Sequence, residues 1–387
     1  MKKTNLADVR VQNAHIILHE LELHDATTNT DIAMAHHLSI PTVTKIINVL
    51  NQNALVRYLG ENQSSGGRRA KRIGLNPDYH YFVGLSITKH IVSAAVINFS
   101  GAIIHSDNIY CQFEDTPAYW ESIRNFAASV TTDLKHPFSY GLTIDGICDF
   151  DNNQILDLQN LGICTLPISQ IRNNLQFDFS INNASRLAGF AQLYGKDQFA
   201  NSVFVALNRR ISGSLILNND IFSLNQFDCS FGNMVISTGS DDTSYGPAGS
   251  VASFCSASRI IDTLREEGIP DTYDEFFSSL QNGNTRYQKM WDEYLDCLAA
   301  TIHNIHAVFG LKVIVGGEMA NYLPPYYNNL CSRIDRWSSF VPASAYLFFS
   351  EHGRYDAAVG AALLARKDYI IAQLPDILQR QMRRSEL

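Results

Sequence analysis

Apolar residues recur at Ala14, Ile17, Leu18 and Leu21, the i, i+3, i+4, i+7 stripe of an amphipathic helix, and predict one over residues 6–24. A second helix is expected over 29–37, with Thr28 as its cap and Asp31 three residues on, where negative charge suits a helix N-terminus. A third is expected over 40–52. Ser39 is its natural cap, Pro41 is tolerated in the first turn, and Ile40, Val43, Ile46, Ile47 and Leu50 read as one buried face. The opposite face carries Thr42, Thr44, Lys45 and Asn48.

Two helices separated by a tight turn, after a first supporting helix, follow the helix-turn-helix plan, in which the N-terminal half of the last helix reaches base edges. Thr42, Thr44, Lys45 and Asn48 are then the expected DNA contacts, since Asn can read adenine bidentately and Lys and Thr serve phosphates as well as bases. Residues 55–59 read as a strand and 73–75 as its partner, leaving 60–72 as a hairpin tip. In that tip glycines precede Arg68, Arg69, Lys71 and Arg72. Such a wing can follow phosphates or enter a narrow minor groove. A solvated linker between domains is the other reading of the same run.

Beyond residue 80 the period changes. Three strands are expected at 81–87, 91–99 and 102–110, and the plan recurs at 202–208, 212–217 and 221–224. Each set is followed by helical patterns and a short strand ending in glycine, at Gly141 or Gly146 and then at Gly316-Gly317. Two copies of one unit imply a bilobed α/β domain with a cleft between lobes, divided at about 195/196. A helix over 287–309, apolar at Trp291, Tyr294, Leu295, Leu298, Ile302 and Ile305, reads as core. The helical tail from 370 to 387 suits an oligomer contact or a frayed end.

Length and composition narrow the class. The 387 residues, 45% hydrophobic and 18% charged, suit a small domain (1–75) plus a large one (76–387) and exclude a disordered chain. No apolar run approaches the ~20 residues of a membrane span, and the start lacks a signal-peptide core, so a cytoplasmic protein with no membrane partner is expected. The seven cysteines show neither a CxxC pair nor a His-Cys cluster, which argues against a disulfide framework and a structural zinc site. The net charge of −8 is uneven: residues 1–75 hold nine Lys/Arg against six Asp/Glu, leaving 21 against 32 in the remainder. A basic end on an acidic body suits double-stranded DNA at that end.

The ordered set of DVRxxNxxxIL at 8–18, LSxxTVTKII at 38–47, SSGGRR at 64–69 and LNPDxxYFVGL at 75–85 resembles the regulator branch of the ROK family, named for repressors, open reading frames and kinases. The resemblance runs nearly end to end. It implies an α/β fold: an N-terminal winged helix-turn-helix followed by the bilobed, actin-like (ribonuclease H-like) domain of ROK sugar kinases.

Most of the kinase motifs that the resemblance leads one to expect are rewritten. The first phosphate loop falls on Ser86-Ile87-Thr88-Lys89-His90, without its Asp or glycines, and the second on Asn208-Arg209-Arg210-Ile211-Ser212, where arginines stand in place of glycines. The general-base motif reads Asn182-Asn183-Ala184-Ser185, and Ala184 has no proton acceptor. The sugar-contacting motif reads Ser230-Phe231-Gly232-Asn233. The zinc motif keeps Gly246 and Gly249, but Thr243, Tyr245 and Ser250 occupy its cysteine places.

The expectation is therefore a transcriptional regulator, a repressor or an activator, whose genes the family resemblance relates to carbohydrate use, with no catalytic residues, cofactor or metal. It would act as a homodimer or homotetramer. Asn183, Ser230 and Asn233 are candidates for a hydroxylated, sugar-like effector, and Arg209 and Arg210 for an anionic one; a partner protein is the alternative signal. A sugar kinase with an appended DNA-binding arm is the alternative function.

Overall fold

Thr28 and Ser39 start two helices by the same chemistry, a side-chain oxygen accepting a backbone N–H of the first turn. The computed structural model describes residues 6–24, 26–61, 71–135, 137–158, 161–222, 229–239, 243–268, 272–337 and 340–385. Its first unit comprises α1 (Leu6–Leu23), α2 (Asn29–Ala35), α3 (Ile40–Gln52) and an antiparallel pair, β1 (Val56–Glu61) and β2 (Lys71–Leu75). Around α2 the capping box is complete, because the Thr28 hydroxyl accepts from the Asp31 N–H while the Asp31 carboxylate accepts from the Thr28 N–H. The wing tip falls outside the described residues.

The body repeats one sheet twice. In the first, β3 (Tyr81–Ile87), β4 (Ile91–Ile97) and β5 (Ile103–Tyr110) form an antiparallel meander. After α4 (Pro117–Ser129), β6 (Phe138–Ile144) adds parallel to β3. A small antiparallel sheet then follows, of β7 (Ile147–Asp149), β8 (Gln154–Leu156) and β9 (Thr165–Pro167). Helix α5 (Ile168–Leu175) leads to β10 (Phe179–Ile181), parallel to β6, and α6 (Ala184–Leu193) leaves the lobe.

The second sheet has the same plan: a meander of β11 (Ser202–Leu207), β12 (Ile211–Leu217) and β13 (Asp220–Phe222). Helices α7 (Val251–Cys255), α8 (Ala257–Glu266), α9 (Tyr273–Gln281) and α10 (Thr285–Phe309) precede β14 (Lys312–Gly316). Then come α11 (Tyr327–Asp335), β15 (Leu347–Phe349) and the last helix, α12 (Asp356–Ser385). Strand β14 adds parallel to β11, and β15 parallel to β14. The central strands β3, β4 and β11 are apolar on both faces because both faces are covered. Val83, Leu85 and Ile87 pack with Trp120 and Ile123 of α4, while Phe82 and Ile97 join α12.

The last helix of each lobe crosses to the other. Helix α6 lies on the second sheet, where Ala188 packs with Phe204, Ala206 and Ile216. Helix α12 starts in the second lobe and runs back over the first sheet. Its approach there is so close that a Cβ on Gly84 would stand 1.8 Å from the Ala358 carbonyl oxygen, and one on Gly141 1.8 Å from that of Ala361.

This helix corrects two expectations. The division at 195/196 leaves α12 with the wrong lobe, because crossover packing is invisible to local pattern. The tail is not a frayed end over its described side chains: Ile370, Leu374 and Leu378 are buried in one core with Ala14, Ile17, Ile46 and Leu50 of the first unit. Pro375 is accommodated within the helix.

Gly84→Val is expected to cost about 3 kcal/mol or more, since the added atoms meet backbone that cannot yield without lifting α12. A urea titration followed by circular dichroism checks this. Wild-type stability would show that α12 is seated differently.

Candidate DNA-reading surface and inter-lobe cleft

On the outer face of α3, Lys45 and Asn48 are exposed and Thr42 and Thr44 are half-buried. Each polar group except Lys45 is oriented by a neighbour. The Thr42 hydroxyl lies 2.8 Å from that of Ser39, whose oxygen also accepts the Thr42 N–H. The Asn29 amide of α2 donates to the Thr44 hydroxyl at 3.0 Å. The Tyr58 hydroxyl of β1 donates to Asn48 Oδ1 at 3.4 Å, and Lys71 Nζ stands 5.2 Å from the Tyr58 ring centroid. Lys71 and Arg72 are exposed on β2. The structure thus brings four helix residues and two wing-strand residues to neighbouring elements, while Arg68 and Arg69 lie outside the described residues. Asn29 and Tyr58 were not singled out in the sequence, because both act across elements.

Ile40 departs from its expected place. It is 50% exposed, whereas Val43, Ile46, Ile47 and Leu50 are at most 1% exposed. A helical projection hides axial position: Ile40 sits in the first turn, about 10 Å along the axis from Ile47, past the reach of the covering helices.

The first unit is tied to the body through Arg366 of α12, which is only 4% exposed. Its guanidinium donates to Glu22 Oε1 of α1 at 2.6 Å and to the carbonyl of Phe99, in the turn between β4 and β5, at 2.7 Å. It also lies over the rings of Phe99 and Tyr194, with centroid distances of 5.1 and 5.2 Å. Tyr194, at the end of α6, donates its hydroxyl to the Ser100 carbonyl. Burial pushes the Glu22 carboxyl upward, but the charge of Arg366 and hydrogen bonds from His19 and Arg366 outweigh it and hold the group below its ordinary value.

Between the lobes lies a cavity of about 830 Å³. Thr88, Lys89 and Asp145 wall it from the first lobe, and Arg209, Tyr273, Glu318 and Arg354 from the second. Of the candidate effector residues, Arg209, Arg210, Ser230 and Asn233 line this cavity. Arg210 spans it, donating to Asp157 of the first lobe at 2.9 Å. Asn183 does not join them. It is buried one residue before α6, where its Oδ1 accepts the backbone N–H of Cys148, so it ties β7 to α6 beneath the cavity wall. Ala184 and Ser185 line the space instead.

The carboxylates of the cleft escaped the sequence reading, Glu318 and Asp356 among them. Glu318 is raised above its ordinary range by burial and by Asp145 facing it, against the pull of Arg209, Arg354 and a hydrogen bond from Tyr273. Asp356, the first residue of α12, is fully enclosed and is pushed up to about 6 by burial, even though Ser350, the Gly317 N–H and Gln192 donate to it. Their roles depend on which loops meet at the cleft, and an isolated Glu or Asp in a loop carries no such signal.

The residues do not fit zinc or a nucleotide. Ser250 accepts the Ser253 N–H as the cap of α7, and Cys255 is buried, with its thiol donating to the Tyr294 carbonyl and pushed well above its ordinary value by burial. Neither offers the thiolate that zinc takes. Where a phosphate would need bare backbone N–H groups, the β11–β12 turn presents Arg209 and Arg210.

The fold and surface define a winged helix-turn-helix joined to an actin-like bilobed domain. The ROK family profile matches residues 82–368, and the chain belongs to that family. It is 20% identical over 350 residues to the xylose repressor of Staphylococcus xylosus, covering 87% of this chain and 90% of that one. Over 230 residues it is 20% identical to the DNA-binding transcriptional dual regulator NagC of Escherichia coli K12, covering 56% and 55%. Among solved structures, a ROK family transcriptional regulator that is a homolog of the E. coli MLC protein superposes with a TM-score of 0.72 at 16% identity, over 95% of this chain and 99% of that one. A ROK family glucokinase from Streptomyces griseus, in complex with glucose and AMPPNP, gives 0.59 at 15% identity, over 74% and 99%.

Removing one side of the buried ion pair is expected to be far worse than removing both. Glu22→Leu should destabilise by about 3–5 kcal/mol, and Glu22→Leu with Arg366→Met should recover most of it. A double-mutant cycle in urea measures this, and additive effects would contradict it. A second expectation concerns pH. An acid whose folded value is raised contributes stability at low pH that is lost as pH rises through that value, so Asp356 should lower stability between about pH 4 and pH 6. Relative to wild type, Asp356→Asn should flatten that slope in denaturation midpoints taken across the window; an unchanged slope would show that Asp356 does not titrate there.

Proposed function

We propose that the protein is a sequence-specific DNA-binding repressor of carbohydrate-related genes, with a non-catalytic ROK domain that receives its signal. The observation that carries this is the pairing, in one chain, of an oriented recognition helix with a kinase-type cleft whose general-base position is Ala184. The repressor names of the relatives support it. Lys45 and Asn48 meet base edges or phosphates, and Lys71 and Arg72 follow the backbone from the wing strand. Two copies would place two recognition helices on paired half-sites.

The cleft is the natural place for an effector. A small hydroxylated molecule would meet Ser230 and Asn233, and an anionic one Arg209. Because Arg210 bridges the lobes to Asp157, a ligand that competes for either side chain changes how the lobes are held together. The lobes are in turn tied by α6 and α12 to Arg366, and through Glu22 to α1. No group stands at position 184 to take a proton from a sugar hydroxyl, so phosphoryl transfer has lost an assistance typically worth 10²- to 10⁴-fold.

Fluorescence anisotropy of the intact protein on the DNA upstream of its own gene, at two salt concentrations, tests the reading. Selective binding that weakens with salt is expected. A Lys45→Ala, Lys71→Ala, Arg72→Ala variant should bind at least ten-fold more weakly and with a shallower salt dependence, by about 0.9 in slope for each phosphate that its cations no longer neutralise. Absence of selective binding at low salt, or steady transfer of phosphate from ATP to a hexose in a coupled assay, would overturn it.

A further inference from the structure

We infer that Ile40 is a specificity-determining residue that packs on a thymine methyl group in the major groove, on the same side of α3 as the base that Asn48 reads. The inference rests on the DNA-binding reading above. Ile40, Thr44 and Asn48 are spaced by four residues and so form one row along the helix surface. From Ile40 to Asn48 the row is about 12 Å long, comparable to three or four base-pair steps.

The available chemistry along that row is unusual. Thr42 and Thr44 are already engaged, one with the Ser39 cap and one with the Asn29 amide, and Asn48 is steadied by Tyr58. Ile40 is left as the large apolar side chain half exposed on α3, while Val43, Ile46, Ile47, Val49 and Leu50 are at most 2% exposed. A single exposed isoleucine on an ordinary surface needs no explanation. This one occupies the first turn of the recognition helix, the part of the motif that enters the groove.

An aliphatic side chain can neither bind a phosphate nor hydrogen-bond a base edge. In the major groove its apolar complement among the four unmodified bases is the thymine C5-methyl group. Its β-branch, together with Pro41 following it in the first turn, restricts its rotamers, so little freedom is lost when it is placed against a base. The half-site read by this helix therefore contains a thymine methyl contacted by Ile40, in addition to the base that Asn48 selects.

The test uses the full-length protein and duplexes selected by it from a random-sequence pool. Each thymine of the selected half-site is replaced in turn by deoxyuracil, which removes only the methyl group. At one position per half-site the replacement should weaken wild-type binding about four-fold, the worth of one buried methyl, and should leave the affinity of Ile40→Ala unchanged. Ile40→Val should still sense the methyl. Thermal unfolding of both variants should match wild type, because the side chain is half exposed. Enriched sequences in which no methyl removal is felt by wild type and not by Ile40→Ala would overturn this inference alone. A pool from which the protein enriches nothing would overturn the DNA-reading assignment together with it.

Discussion

A guanidinium enclosed by four segments of chain is the interaction on which the organisation of this protein depends. Arg366 is withdrawn from bulk solvent, so its charge is met by Glu22 from α1, the Phe99 carbonyl from the β4–β5 turn, and the faces of Phe99 and Tyr194. Each partner comes from a different element. The need to satisfy one buried cation therefore fixes the first helix of the N-terminal unit, the β4–β5 turn, the end of α6 and the middle of α12 relative to one another. The apolar side chains around it, Ile370, Leu374 and Leu378 among them, add area; the ion pair adds direction.

The same two helices that converge near Arg366 are the ones the lobes exchange. Helix α6 begins at the cleft, beside Ala184, and ends at Tyr194; α12 begins at the cleft with Asp356 and passes Arg366 three turns later. Both helices therefore start at the cleft, and the end of α6 and the middle of α12 meet at the group that holds α1. Close packing holds this arrangement. The Gly84 and Gly141 contacts leave no room for α12 to slide over the first sheet without lifting from it. At the cleft itself, the charged side chains of Arg209, Glu318, Arg354 and Asp145 face the cavity from both lobes.

Local structure was legible in the sequence wherever its cause is local. Thr28 with Asp31, and Ser39 with Pro41, set the starts of α2 and α3 as expected, since a cap needs only residues within one turn. The two meanders were readable from apolar runs, with strand ends displaced by at most two residues. The reading weakened where a side chain's environment comes from far along the chain. Asn183 reads as a ligand contact by motif position but serves as an acceptor for Cys148, and Glu318 and Asp356 have no local pattern that marks them.

By itself the sequence determined the element types, the duplicated α/β plan, the capped third helix and the rewriting of the kinase motifs, because each depends on short-range periodicity or on the identity of single residues at motif positions. Only the tertiary structure decided that the C-terminal helix packs on the first lobe and on the N-terminal unit, that Arg210 closes across the cleft onto Asp157, and that Ile40 faces outward while its neighbours in projection are buried. These outcomes depend on which distant segments come together and on where along a helix its cover stops. Three-dimensional proximity, unlike a repeat of 3.6 or 2 residues, leaves no trace in the order of one chain.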